Sequence, residues 1–212
     1  MDFVNKDIEN YAYDHTQIED DLLWQLELET YDQLEIPQML TGRIEGQLLK
    51  MLAQLVGARR IIEIGTFGGY SAISMAEALP EDGYIITCEE DPVAIKFAKH
   101  FFNKSPHGKK VFLKEGPALE TLGEISGFFD MAFIDADKEN YSAYFDLLID
   151  KIDIGGYIIA DNVLWSGKVT NKEMDTETLA LDEYNKKTLA EPRVENILLP
   201  VRDGLMISRK IK

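Results

Sequence analysis

With 212 residues, 45% of them hydrophobic, the chain is long enough to bury one sizeable core and short enough to do so as one domain. A formal net charge of −16 disfavours phosphate backbones and anionic membrane surfaces as default partners. A single cysteine, Cys88, excludes an internal disulfide framework, and the scattered His15, His100 and His107 leave no zinc constellation rich in sulfur or imidazole. The N-terminal stretch is acidic, with no basic segment leading into an apolar run, and no stretch has the length of a membrane span, so a cytoplasmic setting is expected.

In chain order, Ile18, Leu22, Leu23 and Leu26 repeat at helical spacing. Between Arg43 and Val56, the residues Ile44, Leu48, Leu49, Leu52, Leu55 and Val56 share one face in the same way. Two helices are thus predicted before any strand. From Arg60 onward short apolar runs alternate with helical stretches. Strand IIEI is followed by helix SAISMAEAL, strand YIITC by helix PVAIKFAKHFF, and strand VFL by helix ALETLGEI; strand FDMAFID then leads into helix YSAYFDLLID, and strand GYIIAD follows. That rhythm predicts an α/β fold built from βαβ units on a parallel sheet. A further helix is expected within Glu177 to Ala190. After it VENILLP and LMISRK flank Val201 to Gly204, where Asp203 and Gly204 signal a hairpin, so an antiparallel pair should close the sheet. The longest loop, Trp165 to Thr176, is a candidate lid. The expected organisation is a single unit over residues 1–212, with N-terminal helices in 1–58 covering a core that spans 59–212.

Open parallel sheets bind ligands beyond the carboxyl ends of their strands, and there the first strand runs into EIGTFGGYS. Gly65, Gly68 and Gly69 permit a tight turn and a close backbone approach to a ligand, but their spacing is not the GxGxxG that seats a dinucleotide pyrophosphate. Glu63 places a carboxylate where a cationic ligand would be met, which suits the sulfonium and amino groups of S-adenosylmethionine better than a phosphate. Glu89 ends the second strand about 24 residues beyond Gly65, near the spacing at which an acidic residue takes ribose hydroxyls. Each signal alone is ordinary in an α/β protein; their order on successive strands points to a nucleoside-like cofactor.

The fourth strand ends in FIDADKENY and the fifth in IIADNVLW, so Asp135, Asp137, Lys138, Asp161 and Asn162 emerge at one sheet edge. Asp135, Asp161 and Asn162 offer hard oxygen ligands, which favour Mg²⁺, Mn²⁺ or Ca²⁺ over zinc and leave positions open for substrate. Taken singly, an aspartate there is more often a cap or turn residue and Lys138 a surface ion pair. Cys88, inside an apolar strand, is read as a buried structural thiol. Tyr144 and Trp165 are kept as candidates near the site, whereas Tyr141 is left as a packing residue.

On these motifs the chain resembles the cation-dependent caffeoyl-CoA and catechol O-methyltransferase family. RIEGQLLKML, IIEIGTFGGYSA, EGPALETL, FIDADKENY, IIADNVLWSGKV and LPVRDGLMISRK carry the resemblance, which covers most of the chain from Met39 onward. It implies a class I, Rossmann-like S-adenosylmethionine-dependent methyltransferase fold. The sheet would have seven mostly parallel strands with the last antiparallel and helices on both faces, and the protein would often be a homodimer. It also implies metal on Asp135, Asp161 and Asn162, and S-adenosylmethionine against Met39, Thr41, Glu63, Gly65, Ser71, Glu89, Ala118, Asp137 and Tyr144. Lys138 matches the proposed general base. The region before Pro37 and the loop WSGKVTNKEMDT depart from the plant pattern, and both shape the acceptor pocket in the family.

The resulting expectation is O-methylation of a catechol-like small molecule, with Lys138 taking the hydroxyl proton beside a divalent cation. Three rivals stand beside it. Some relatives modify a hydroxyuridine of transfer RNA, for which Arg43, Arg59, Arg60, Lys109 and Lys110 would be the phosphate-gripping patch. A non-catalytic nucleotide-binding protein could keep the fold, although Asp135, Lys138, Asp161 and Asn162 speak against decay. A nicotinamide-dependent dehydrogenase is disfavoured by the missing GxGxxG.

Overall fold

The computed structural model describes residues 5–212; residues 1–4 of the expected N-terminal region lie outside that range. Its seven strands are β1 (Arg60–Ile64), β2 (Tyr84–Glu89), β3 (Val111–Glu115), β4 (Phe129–Ile134), β5 (Ile152–Ala160), β6 (Val194–Leu199) and β7 (Leu205–Lys210). They form one sheet in the order β3-β2-β1-β4-β5-β7-β6. The first five are parallel to one another, and β7 runs antiparallel to both its neighbours, β5 and β6. The α/β expectation and the closing hairpin are thus met, with β7 inserted beside β5 and β6 left at the edge. Strand order reverses between β1 and β4, so the switch point falls where Gly65 and Asp135 leave the sheet.

Eight α-helices surround the sheet among the described residues: α1 (Lys6–Asp14), α2 (Asp21–Gln33), α3 (Gly42–Leu55), α4 (Tyr70–Ala78), α5 (Pro92–Lys104), α6 (Ala118–Glu124), α7 (Tyr141–Ile149) and α8 (Thr176–Ala190). Alternation along β1 sorts the core into two layers. Ile61 packs with residues of α2, α3, α4 and α5, such as Leu26, Leu49, Met75 and Phe101. Ile62 and Ile64 face the other way, against Phe145 and Leu148 of α7 and Tyr184 of α8. Complete burial of a side chain such as Leu26 or Leu49 contributes about 1.5–3 kcal/mol each, which holds the N-terminal helices on the sheet.

Two local expectations need correction. A helix at Lys6–Asp14, capped by Asn5, precedes the two that were read; it has no buried residue, so it lacks the apolar stripe that signals the others. Helix α2 begins at Asp21, not Ile18: Asp20 caps it by accepting from the Leu23 N–H at 2.8 Å, which leaves Ile18 outside and 70% exposed. The Trp165 to Thr176 segment is also less open than a plain loop. It begins with a 3-10 segment, Trp165–Thr170, in which Trp165 and Ser166 take positive φ values of 46° and 53°. Its capping turn is completed by Asp203, which accepts from the Ser166 N–H. Among the described residues no helix is long and apolar enough to cross a membrane.

Candidate active site

The strand ends are held in register by continuation of the ladder. Asp135 N–H donates to Ile64 O at 2.9 Å, Asp161 N–H to Ile134 O at 3.0 Å, and Gly65 N–H to Cys88 O at 3.1 Å. Gly65 has φ 93°, and a β-carbon there would lie 1.9 Å from the Asp135 carbonyl oxygen. The glycine read as making room for a ligand therefore first makes room for the backbone of β4's exit.

Glu63 is fully buried. The Thr87 hydroxyl donates to its Oε2 at 2.5 Å, the buried Ser71 hydroxyl lies nearby, and Oε1 has no partner. Burial pushes this carboxyl up to about 8 against the opposing pull of those hydroxyls. Glu89 is held differently. Its Oε2 accepts from Thr66 N–H at 3.2 Å and Phe67 N–H at 2.8 Å, and its Oε1 from Glu90 N–H at 2.9 Å and Asp91 N–H at 3.0 Å. It thus ties the glycine loop to the end of β2, and a ribose would have to share those bonds. Ala118 opens α6 beyond β3, next to Gly116, whose N–H donates to Glu89 O at 2.8 Å. Asp137 is exposed and accepts from Tyr144 Oη and Asn140 Nδ2. Thr41 is buried and Met39 is 53% exposed, both in the segment leading into α3.

On the neighbouring strand ends, the Lys138 ammonium donates to Asn162 Oδ1 at 2.7 Å, to the Tyr141 hydroxyl at 2.8 Å and to Asp135 Oδ1 at 3.1 Å. Tyr141, read as packing, is therefore part of the site; its own hydroxyl donates to Asp161 O at 3.1 Å. Asn162 sits at φ 60°, a left-handed conformation that asparagine tolerates better than most residues, and its Nδ2 donates to Asp161 Oδ2 at 2.9 Å. The other oxygen, Asp161 Oδ1, is buried and unpartnered. Burial, reinforced by the charge of Asp135, pushes the Asp161 carboxyl up to about 7. The Trp165 ring lies 5.5 Å from Lys138 Nζ, so the lid candidate does reach the site.

Two residues that sequence reasoning missed complete this edge. Glu45 of α3 is fully buried, and its Oε2 accepts from Arg202 Nη1 at 2.6 Å. Arg202, in the β6–β7 turn, also donates to Leu40 O at 3.3 Å and to Thr41 O. Burial and the charge of Asp161 push Glu45 upward. The only available signal was an acidic residue on the otherwise apolar face of α3 and an arginine beside a hairpin glycine.

Fit to a cation can be judged from the donors themselves. Asp135 and Asn162 already aim oxygens at one ammonium, beside an orphaned buried oxygen of Asp161, and all are hard donors. Among the described residues no group of three or more His, Cys, Asp or Glu is placed to hold a metal; the arrangement depends on the Asn162 amide as its third donor. The five basic residues named for the rival transfer-RNA reading each have a partner in the fold. Arg43 pairs with Glu19, Arg59 with Asp82, Arg60 with Asp153 and Lys109 with Glu81, and Lys110 is buried against the carbonyls of Ala76 and Leu79.

Residues 10–211 match the model of the O-methyltransferase family. Caffeoyl-CoA O-methyltransferase 1 of Arabidopsis thaliana is 40% identical over 186 residues, covering 82% of this chain and 72% of that one. Catechol O-methyltransferase domain-containing protein 1 of Mus musculus is 36% identical over 207 residues, covering 95% of this chain and 79% of that one. Among solved structures, the O-methyltransferase TomG of Streptomyces achromogenes in complex with SAM superposes with a TM-score of 0.89 at 28% identity, covering 97% of this chain and 96% of that one.

Proposed function

Since the chain belongs to the O-methyltransferase family, we propose that it moves a methyl group from S-adenosylmethionine to one hydroxyl of a catechol-like small molecule, beside a divalent cation seated on Asp135, Asp161 and Asn162. The observation that carries the cation is the convergence of Asp135 Oδ1 and Asn162 Oδ1 on one positive charge next to the unpartnered Asp161 Oδ1. Mg²⁺, Mn²⁺ and Ca²⁺ all suit such oxygens.

S-adenosylmethionine, when bound, supplies an electrophilic methyl group on a positively charged sulfur. A divalent cation held by Asp135, Asp161 and Asn162 would supply Lewis acidity that lowers the cost of ionising an acceptor hydroxyl. The chain's own part falls to residues on successive strand ends. Glu63 offers its free, buried Oε1 to the amino group of the cofactor, with Ser71 and Gly65 beside it, and Glu89 offers its carboxylate to the ribose. Met39, Thr41, Ala118, Asp137 and Tyr144 complete the cofactor contacts of this reading. Lys138 Nζ, in its neutral amine form with a free lone pair, is the atom that would take the acceptor's proton and so become the ammonium that Asp135, Asn162 and Tyr141 can receive from. Tyr141 keeps it oriented, since its hydroxyl is committed as donor to Asp161 O and receives from the lysine. Trp165 covers the lysine and limits water at the proton-transfer atom. Alignment of acceptor and cofactor supplies the rest, an effect of up to roughly 7–11 kcal/mol in the best cases.

The test is transfer of label from S-adenosylmethionine to a panel of catechols, including caffeate and its esters, with Mg²⁺ and then with a chelator. Chelator-sensitive labelling is expected. Labelling unaffected by the chelator would remove the cation, and no labelling of any catechol would remove the acceptor class.

A further inference from the structure

One turn holds two segments that border the site. It comprises residues 201–204, between β6 and β7, and is closed by the Gly204 N–H donating to Val201 O at 2.9 Å. On one side Arg202 reaches the start of α3, where its guanidinium donates to Glu45 Oε2 at 2.6 Å, to Leu40 O at 3.3 Å and to Thr41 O. On the other side the turn grips the segment that carries Trp165. Val163 N–H donates to Gly204 O at 3.1 Å, Leu164 N–H to Asp203 O at 2.9 Å, and Ser166 N–H to the Asp203 carboxylate. Gly204 packs so closely there that a β-carbon would lie 2.5 Å from Leu164 Cγ. Backbone strain gathers at the same place. Of the five non-glycine residues with positive φ among the described residues, Asn162, Trp165, Ser166 and Arg202 belong to these joined segments, and only Phe67 lies elsewhere. Such conformations cost about 1–3 kcal/mol each and persist where the surrounding structure enforces them.

We propose that Arg202 and Asp203 are positioning residues that act as one: Arg202 sets Leu40 and Thr41 against the cofactor, while Asp203 sets the turn that lays Trp165 over Lys138. The inference rests on the cofactor contacts assigned above to Met39 and Thr41 and on the cover assigned to Trp165. A buried ion pair such as Arg202–Glu45 adds little net stability over apolar groups of the same volume, but its geometry is fixed. The planar guanidinium suits the task, since its rigid fork takes two carbonyls and a carboxylate together, which a lysine ammonium on a flexible stem does not. Arg202 and Asp203 are adjacent in the chain, so a displacement of α3 pulls directly on the residue that holds Ser166. Cofactor binding, which fixes the start of α3, is thereby linked to the closing of Trp165. By reciprocity the closed Trp165 strengthens cofactor binding by the same factor.

Trp165 reports this linkage without turnover, cation or acceptor. The only other tryptophan, Trp24, is 45% exposed on α2, and Trp24→Phe removes its signal. In that background, acrylamide quenching of Trp165 is measured with and without saturating S-adenosylmethionine, whose binding is followed by calorimetry. The cofactor is expected to lower the quenching constant by about twofold or more as the ring is covered. Arg202→Lys and Asp203→Ala should abolish that response, and Arg202→Lys should weaken the cofactor by about fivefold or more, within the usual range of coupling between sites. Asp203→Asn, which keeps an oxygen for the Ser166 N–H, should retain the response. A response that persists in Arg202→Lys or Asp203→Ala, that Asp203→Asn fails to keep, or that is missing from a parent protein able to bind the cofactor overturns the inference and leaves the proposed function standing. Failure of the parent to bind S-adenosylmethionine at all overturns both. If Arg202→Lys does not fold, Glu45→Met/Arg202→Met, which leaves no buried charge unpaired, takes its place with the same expectation.

Discussion

Lys138 Nζ lies 2.7 Å from Asn162 Oδ1, so the base assigned to the acceptor's proton and a ligand assigned to the cation share one hydrogen bond. On that proposal an ammonium at Lys138 and a bound cation would compete for the same oxygen. Replacing Lys138 with methionine should separate the roles. Turnover is expected to fall by about 10²- to 10⁴-fold, the usual worth of a placed acid–base group, whereas Mn²⁺ affinity measured by calorimetry should hold or rise. A loss of both together would mean that the lysine organises the ligands instead of moving the proton.

Asp161→Ala is the complementary change. It removes a proposed ligand whose Oδ1 is buried without a partner, and none of the proposed cofactor contacts is Asp161 itself. Mn²⁺ binding is expected to weaken by 100-fold or so, with S-adenosylmethionine affinity altered by less than about threefold. Turnover that survives a chelator in this variant would end the metal-assisted reading.

The acid carboxyls predict the pH response of the ligand-free protein. Glu63 is pushed up to about 8 and Asp161 up to about 7, in each case chiefly by burial. A carboxyl that binds its proton more tightly when folded contributes stability that is complete below about pH 4 and is lost as pH rises through those folded values. The melting temperature should therefore fall between about pH 5 and pH 9, by a loss on the order of a few kcal/mol. Glu63→Gln, which stays neutral and can still accept from Thr87, should flatten much of that slope. Added Mn²⁺ should restore stability mainly at the alkaline end, where Asp161 is ionised.

Gly65→Ala tests the close approach of β1 to β4. A β-carbon would meet the Asp135 carbonyl at 1.9 Å in a backbone with φ 93°, so both strain and collision oppose it. A loss of roughly 2–4 kcal/mol in urea unfolding is expected, together with impaired cation binding, because Asp135 must move. Normal stability would show that the strand ends can separate freely.

The sheet and the acidic strand ends were legible because each is local. Asp135 and Asp161 follow apolar runs directly, and β topology carries such positions to one edge. The start of α2 was misplaced because Ile18 matched the helical spacing, whereas Asp20, three residues before its bonded N–H, decided the boundary. The Glu45–Arg202 pair could not be read at all. Its members are 157 residues apart, and an acidic residue on an apolar helix face does not by itself name its partner. Gly65 was legible as a necessary glycine but not for its reason, since the atom it avoids, the Asp135 carbonyl oxygen, lies 70 residues further along the chain.

The place of β7 in the sheet has a consequence for how the molecule acquires activity. The strand that delivers Asp161 gains its second neighbour only when Leu205–Lys210 inserts, and Arg202 reaches back to α3 only through the turn that precedes it. A nascent chain emerging from the ribosome can assemble β1 to β4 from near neighbours, but the edge proposed to bind the ion must wait for this late, long-range closure. Folding intermediates should accordingly recognise the cofactor before they can hold a cation.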